Sequence, residues 1–411
     1  MEKRSFLLAG GAALAGAGAL AAWRYWPEQG FWNPCRARLP RRLAEHELVA
    51  AAWDGLEAAK VWDSHVHLVG SGDSGSGVVV NPRMESLLNP AEYARRLFFL
   101  NAGCVHEAPG NVDRAYVERM QNLVDGMRPG VRLLLFAFDR VHREDGSPDP
   151  EQSGFYVPDD YARDVAKAHA PYFEWAASIH PYRGDALERL RRAKSDGARA
   201  VKWLPASMGI DPASPRCDAF YAELQKLAIP LITHAGLERA VLGSDVQDFG
   251  NPLRLRRALE AGVRVVIAHC ASMGQDRDLD KGRDGPYVDS FELFARLFEE
   301  GKYEKLLSGD ISAMTQLNRA GPALARVIER SDWHARLLNG SDYPLPGIMP
   351  IFSVDYLVSI RLLAQSAAPL LKEIRLHNPL LFDFVLKRHL RSNGKALSRG
   401  VFETRRFFEP M

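Results

Sequence analysis

Short apolar runs that end in polar residues recur along this chain, and segments with helical amphipathic spacing separate many of them. A continuous apolar run of about four to eight residues is typical of a strand buried on both faces, as in a parallel sheet. The pattern predicts eight strands, at 61–68, 131–139, 173–180, 198–204, 230–234, 263–269, 306–311 and 336–339. It predicts helices between the later strands, at 184–195, 218–227, 252–261, 287–301 and 321–331.

The regular alternation of strand and helix indicates βαβ units, and therefore an α/β fold with a parallel sheet. Eight is the number of strands that closes a (β/α)₈ TIM barrel, which we place at residues 61–352. Residues 84–126 are predicted to form a helical insertion, with a strand at 95–101 as the alternative for part of it. Residues 353–411 are predicted to add helices that pack on the barrel, among them 378–391.

The first 26 residues have a different pattern from the rest of the chain. Lys3 and Arg4 precede a charge-free run rich in Ala, Gly and Leu that extends to Trp23, as in an export signal. The run is also close to the minimum length of a membrane span. Residues 1–26 are therefore predicted to be an export signal or a membrane anchor, with 27–60 as a linker and short helix. The protein is expected in the periplasm or on the outer face of a bacterial inner membrane, with the export machinery as a partner.

Net charge and cysteine spacing bear on the expected binding partners and on the expected disulfides. The chain has 411 residues and a net charge of +2, which gives no reason to expect nucleic acid. Cys35, Cys104, Cys217 and Cys270 are far apart and form no Cys-x-x-Cys pair. They are predicted to be isolated thiols, and a single disulfide in an oxidising compartment is the alternative. A small-molecule substrate is expected, and a homodimer stays open.

Ionisable side chains lie at or near the ends of six predicted strands: His65 and His67, Lys202, His234, His269, Asp310 and Asp342. Residues i and i+2 of a strand point to the same face, so the two histidines of the first strand aim at one side. Lys202 and His234 are 32 residues apart, His234 and His269 are 35 apart, and 32 residues separate the two aspartates. Each step is about one βα repeat. The whole set is therefore expected at the C-terminal rim, where barrel enzymes carry their chemistry.

Three imidazoles and a carboxylate that converge on one point would suit a divalent metal ion. Neutral His and ionised Asp are suitable zinc ligands, and a bound metal activates water and polarises a carbonyl oxygen. A carboxylate beside such an ion can pass a proton from water to a leaving group. An isolated His-x-His is weak evidence, so this prediction depends on the ordered set.

The same motifs resemble a known family. The sequences Asp-Ser-His-Val-His at 63–67, Thr-His at 233–234, Ala-His at 268–269 and Asn-Gly-Ser-Asp-Tyr-Pro at 339–344 are together similar to the amidohydrolase superfamily. They are most similar to its amidohydrolase-related group, which includes metal-dependent decarboxylases and lactonases. The segment 197–205 is similar to the fourth strand of that group, and the resemblance covers about residues 61–383.

The resemblance implies a (β/α)₈ barrel with metal ligands at His65, His67, His234 and Asp342. Zinc is the favoured ion, with manganese or iron as alternatives. Asp342 is expected to shuttle a proton, and His269 to be either a ligand or the group that polarises the substrate and steadies developing negative charge. Lys202 either bridges two ions as a carbamate or stays a free ammonium that binds a substrate carboxylate. One ion is favoured over two.

Four side chains are predicted to bind substrate: Lys202, His180, Asp310 and Arg319. His180 ends the third predicted strand, and a structural role is its alternative. Asp310 either lines the pocket or caps a loop. Arg319 either binds an anionic substrate or belongs to a solvated face.

These observations support three hypotheses about function. The first is a metal-dependent hydrolase, in which an activated water attacks an amide, ester or lactone carbon. The second keeps the metal but changes the reaction to non-oxidative decarboxylation of an unsaturated or aromatic acid. The third is a barrel that binds a ligand at the cell envelope without catalysis.

Overall fold

The computed structural model describes residues 30–36 and 38–409. The predicted export signal at 1–26 lies outside these residues, so it stays a prediction. Within the described part of the chain, no helix combines the length and the apolar character that a membrane span requires.

Eight parallel strands form the centre of the described fold: β1 Trp62–His67, β2 Arg132–Phe136, β3 Phe173–Ala176, β4 Val201–Trp203, β5 Leu231–Thr233, β6 Val265–Ile267, β7 Leu307–Asp310 and β8 Leu337–Leu338. They make two sheets, with the strand orders β1-β2-β3 and β8-β7-β6-β5-β4. Each strand lies within one of the eight segments predicted from the apolar runs. The fold is therefore α/β with parallel strands, as predicted.

Backbone contacts connect the two sheets at both of their edges. Between β3 and β4, Lys202 N donates to Ala177 O at 2.7 Å, and Ala177 pairs in parallel with Val201. Between β1 and the chain after β8, His67 N donates to Tyr343 O at 2.8 Å. Backbone hydrogen bonds therefore connect β3 with β4, and β1 with the segment that follows β8.

An apolar layer fills the space that the strands face. Seven of the eight strand segments supply its buried side chains, and the layer also includes a side chain near the C-terminus: Trp62, Leu134, Phe136, Ala176, Ala200, Ile232, Val266, Leu338 and Phe408. The Phe408 ring stacks on Trp62, the first residue of β1, with centroids 6.1 Å apart. The C-terminal residues thus cover the amino-terminal end of β1, and its histidines lie at the other end.

Helices surround the strands and extend the fold at both ends of the described chain: Arg41–Ala44, Glu47–Ala52, Pro90–Ala102, Val112–Asp125, Asp159–Ala168, Ala186–Ser195, Pro205–Met208, Asp218–Leu227, Arg256–Glu260, Ser290–Glu299, Pro322–Glu329, Val354–Ser359, Ala368–His377, Pro379–His389 and Arg405–Phe408. Residues 95–101 are helical, so the alternative of a strand there is wrong. The helix at 159–168 was not predicted, although a proline followed by two acidic residues is a common helix start.

The cysteine prediction needs a correction. Cys35 and Cys104 form a disulfide across a sequence separation of 69 residues, whereas Cys217 and Cys270 are buried free thiols. The bond fastens the segment before the first helices to the end of the Pro90–Ala102 helix. Spacing alone did not reveal the pair, because the two cysteines belong to elements that meet only in the folded chain.

Candidate active site

The carboxyl ends of β1 and β8 bring three ionisable side chains to one point. Asp342 Oδ1 lies 3.3 Å from His65 Nε2 and 3.1 Å from His67 Nε2. Ligand atoms of these three residues all lie within 4.8 Å of one another. His65 and Asp342 are buried, and His67 is partly exposed toward the cavity. The structure thus brings together three of the four expected metal ligands.

Hydrogen bonding fixes which nitrogen of His65 faces the cluster. His65 Nδ1 lies 2.8 Å from Asp310 Oδ2, so the ring donates its Nδ1 proton to that carboxylate and Nε2 carries a lone pair. Burial lowers the pKa of His65 to about 4, which keeps the ring neutral at neutral pH. An imidazole oriented by a carboxylate in this way is ready to bind a metal ion.

Asp310 therefore orients other groups and does not line the cavity. Its Oδ1 accepts hydrogen bonds from the backbone amides of His269 at 3.0 Å and Ser312 at 2.9 Å. His65, His269 and Asp310 form a second group of close ligand atoms. Their closeness reflects the hydrogen bond between His65 Nδ1 and Asp310 Oδ2. The prediction that Asp310 binds substrate does not agree with this position, because the protein itself occupies both carboxylate oxygens.

His269 presents an acceptor to the site, not a donor. Its Nδ1 donates to the Ser312 carbonyl at 2.9 Å, and its Nε2 lies 3.8 Å from Asp342 Oδ2. Burial lowers the pKa of His269 to about 3. Its backbone is left-handed, with a φ of 56°, a strained conformation that is often found at functional sites. A neutral Nε2 suits a metal ligand or a proton acceptor better than a group that steadies negative charge.

His234 lines the same cavity but belongs to neither group of three close ligands among the described residues. Its Nε2 is buried and makes no hydrogen bond, although Glu238 Oε2 is 3.2 Å away. Burial raises the pKa of Glu238. Sequence reasoning missed this glutamate. The available signal was its place four residues after a strand-end histidine, in the loop that follows β5.

Lys202 lies behind the cluster at the middle of β4. Its Nζ is 3.3 Å from His65 Nε2 and 5.0 Å from the centre of the Phe136 ring. The side chain is 1% exposed, and burial lowers its pKa to about 8. The amine therefore lies within reach of the metal ligands, which fits either of its two expected roles.

Arg319 enters the cavity from the loop after β7. It is a buried side chain, and its Nε and Nη1 have no hydrogen-bond partner. The amide nitrogen of Gln316, which lines the same cavity, is also without a partner. A guanidinium pairs readily with a carboxylate through two parallel hydrogen bonds. The arrangement suits an anionic group of a substrate.

The structure places His180 apart from the cavity. Its Nε2 lies 3.0 Å from the Met208 carbonyl, and its Nδ1 accepts from the Tyr182 amide at 3.2 Å. The ring is fully buried, and both nitrogens are used within the protein. These contacts favour the structural alternative for His180 over a role in substrate binding.

The loop after β8 is held tightly against β1. Asp63 Oδ1 accepts from the Ser341 amide at 2.8 Å and from the His65 amide at 3.2 Å. Lys387 Nζ, from the Pro379–His389 helix, donates to the Gly340 carbonyl at 2.6 Å. These contacts fix the backbone that leads into Asp342, whose own φ is 62°.

A cavity of about 510 Å³ opens over the cluster. Its polar end contains His65, His67, Lys202, His234, Glu238, His269, Arg319 and Asp342. Apolar side chains form most of the remaining wall, among them Val69, Phe98, Phe99, Phe155, Met273 and Ile348. A largely apolar cleft with a few convergent polar groups is the usual form of a small-molecule site.

Comparison with known proteins shows which family shares this sequence pattern. A family model described as Amidohydrolase matches residues 62–348, and no curated protein gives a significant sequence match. Similar solved structures include a TIM-barrel protein from Bordetella bronchiseptica, at 18% identity over 73% of this chain and 91% of that chain, with a TM-score of 0.44. They also include a 4-oxalomesaconate hydratase from Rhodopseudomonas palustris, at 14% identity, coverages of 80% and 98%, and a TM-score of 0.40.

A third similar structure is a 2,6-dihydroxybenzoate decarboxylase from Rhizobium, at 12% identity, coverages of 78% and 97%, and a TM-score of 0.37. These structural likenesses are weak, so the assignment depends on the family model. That model spans more than half of the chain and includes every residue of the His65, His67 and Asp342 cluster. The chain therefore belongs to the amidohydrolase family and is a metal-dependent enzyme.

Proposed function

We propose that this protein is a hydrolase that cleaves an amide, ester or lactone bond in a substrate with an anionic group and a sizeable apolar part. The observation that carries the proposal is the convergence of His65, His67 and Asp342 beneath a largely apolar cavity. The continuous hydrogen bonding around eight parallel strands supports the further proposal that the strands form a closed (β/α)₈ barrel.

The donor set fits a divalent cation, with zinc favoured and manganese or iron as alternatives. His65, His67 and Asp342 would hold the ion, and the buried Nε2 of His234, which has no hydrogen-bond partner, fits a fourth ligand. Such an ion supplies Lewis acidity and lowers the pKa of water near it. One ion accounts for these ligands, and a second would require Lys202 to be carbamylated.

We assign the proton transfers and the binding of substrate to three side chains in and around the cluster. Asp342 is held ionised: burial opposes its charge, but the surrounding imidazoles and a hydrogen bond from His67 hold its pKa well below the ordinary value. We assign to it the transfer of a proton from water to the leaving group. His269 Nε2, a neutral acceptor 3.8 Å from that carboxylate, is the second proton acceptor. Arg319 binds the anionic group of the substrate.

Decarboxylation is the second candidate, and Arg319 is the observation that favours it. A buried guanidinium with two unpaired nitrogens would fix a substrate carboxylate close to the cluster, with Lys202 as an additional cation. In the hydrolase, the same guanidinium binds a carboxylate that does not react. Measurement of CO₂ release beside hydrolysis of a panel of esters, lactones and amides separates the two reactions.

Asp342→Asn tests the role of the cluster. The substitution keeps the size of the side chain but removes its charge, so turnover should fall by at least about 1,000-fold, given the usual effect of removing a key catalytic group. The melting temperature and circular dichroism should stay close to wild type, and the metal content should fall. A folded Asp342→Asn variant with wild-type turnover would remove the mechanism.

We also propose that the protein acts outside the cytoplasm. The Cys35–Cys104 disulfide supports this, because structural disulfides persist mainly in oxidising compartments. The predicted signal or anchor at 1–26 agrees with export, and a fusion of these residues to a reporter would test whether they direct it across the inner membrane.

A further inference from the structure

Large apolar side chains are exposed at few places on the described surface, and most of them lie in the cavity lining or within three residues, along the chain, of a residue that lines it. Eight such residues are exposed in the described chain: Phe31, Trp32, Val79, Leu87, Leu88, Val246, Tyr287 and Leu317. Phe31 itself lines the cavity, and Val79 and Leu317 are chain neighbours of lining residues. Leu87 and Leu88 lie in the turn between the lining residues Met84 and Ala91. We call Phe31, Trp32, Val79, Leu87, Leu88 and Leu317 the apolar rim.

The turn at Leu87 and Leu88 is the most exposed part of the apolar rim. Leu87 is 75% exposed and Leu88 is 92% exposed. Scattered apolar residues on a protein surface need no explanation, but a group of them around one opening marks a binding surface. Val246 and Tyr287 are the two exposed apolar residues outside the rim.

Ring packing, a hydrogen bond and a disulfide hold the segment of the apolar rim that contains Phe31 and Trp32. The rings of Phe31 and Trp32 lie 6.3 and 5.7 Å from the ring of Phe98, on the Pro90–Ala102 helix. The Asn33 amide donates to Asn101 Oδ1 at 2.6 Å, and the Cys35–Cys104 disulfide follows two residues later. These contacts hold Phe31 and Trp32 in exposed positions next to the cavity.

The sequence around the rim points to what covers it. The charge-free apolar run that ends at Trp23 precedes Phe31 and Trp32 by seven residues, which include Arg24 and Glu28. Three arginines close in sequence to these residues or to Leu87 are exposed: Arg36, Arg38 and Arg83. The exposed carboxylate between Arg83 and Leu87, that of Glu85, is already paired with Arg96. Exposed apolar side chains flanked by cations match a phospholipid surface, where acyl chains lie beneath anionic groups.

We infer that the apolar rim docks on the surface of a lipid bilayer, so that the cavity opens toward the lipid. The substrate then enters from the membrane, and its apolar part occupies the apolar wall while its polar end reaches the cluster. The entry route extends the proposed function and rests on it, whereas the docking itself does not.

A fluorescent label at Leu88 tests the docking in the full chain. Leu88→Cys offers an exposed thiol, because the two free cysteines are buried, and an environment-sensitive dye attached there reports contact with lipid. With vesicles of phosphatidylcholine and phosphatidylglycerol, the emission should shift to the blue and increase at least twofold. Vesicles with brominated acyl chains should quench it. The matched control is Tyr287→Cys, whose label should not respond.

Two results would overturn the inference. If the protein sediments with vesicles while the label at 88 does not respond, another part of the chain makes the contact. If the label is already shielded without vesicles, the rim is covered by protein: by a second copy when dilution exposes the label, and by residues 1–29 when it does not. The readout is independent of turnover, so a failed hydrolysis assay leaves the docking result intact.

Discussion

At the residue scale, the contacts of single ring nitrogens decide what the cluster can bind. Asp310 accepts the Nδ1 proton of His65, and the Ser312 carbonyl accepts that of His269. Both rings therefore direct unprotonated Nε2 atoms toward Asp342. Strand-end position predicts that a histidine reaches the site, but only the partner of its second nitrogen determines its chemical form.

Asp310→Asn should weaken metal binding without removing a ligand. An amide is a poorer acceptor for the His65 Nδ1 proton, so the ring loses the partner that fixes its tautomer. Loss of such a partner typically costs about 10- to 100-fold in metal affinity, which a competition titration against a zinc chelator would measure. Asp289→Asn, at an exposed carboxylate that does not line the cavity, is the matched control. Wild-type affinity in the Asp310 variant would contradict the assigned role.

His180 should act through stability, not through activity. Burial lowers its pKa to about 3, whereas the unfolded chain has the ordinary value of about 6.5. As pH falls below about 6.5, the unfolded state therefore takes up a proton that the native state does not, and stability is lost. At pH 5 this loss amounts to about 2 kcal/mol for one histidine.

The matched experiment is urea unfolding of wild type and His180→Gln at pH 7.5 and pH 5. Glutamine does not titrate, so the wild type should lose about 2 kcal/mol more than the variant over this interval. The ratio kcat/KM should stay within a few-fold of wild type at pH 7.5. An equal pH dependence of both proteins, or a large loss of turnover, would show that His180 has another role.

At the element scale, the close approach of β8 to β1 builds the cluster. A Cβ atom at Gly340 would lie 2.5 Å from His65 Cβ and 3.0 Å from His65 N. Both neighbours belong to a buried strand, so neither can move aside easily. The glycine therefore allows the strand ends to meet at the distance that brings Asp342 to the two histidines.

Gly340→Ala should separate these strand ends. We expect a loss of about 1–3 kcal/mol in the free energy of unfolding, as for other overpacked sites, together with a lower metal content. Gly301→Ala is the control, because a Cβ there meets no atom within 4 Å. Denaturant unfolding and elemental analysis of both variants make the comparison. A Gly340 variant that keeps full metal content would show that β1 and β8 tolerate a wider separation.

Much of this element order could be predicted, because each strand is a short apolar run with a polar end. The same logic places His65, His67 and Asp342 at one edge of the strands, where the structure has their ligand atoms within 4.8 Å of one another. The helix at 159–168 was missed, because its acidic start directly follows a loop rich in proline and aspartate. Glu238 and the orienting role of Asp310 could not be predicted, because they depend on side-chain directions in loops.

At the scale of the whole molecule, the C-terminal residues and the site lie at opposite ends of β1, and the apolar layer fills the space between them up to the Phe136 ring, 4.8 Å from the ring of His65. Phe408 covers the Trp62 end, whereas helices before and after the strands approach the open end. Arg375, in the Ala368–His377 helix, donates to the carbonyls of Pro346, Ile348 and Phe352. The Ala368–His377 helix therefore holds the segment that follows Asp342 in place, and so helps to position the site.

The Cys35–Cys104 disulfide is the longest-range covalent constraint in the described chain. Closing a loop of 69 residues removes chain entropy from the unfolded state that corresponds to about 4 kcal/mol of stability. The double variant Cys35→Ser/Cys104→Ser should therefore lose up to about that amount in the free energy of unfolding, measured by urea titration. Dithiothreitol should destabilise the wild type toward the variant and leave the variant unchanged. A wild-type protein that unfolds identically with and without the reductant would contradict a stabilising role for the bond.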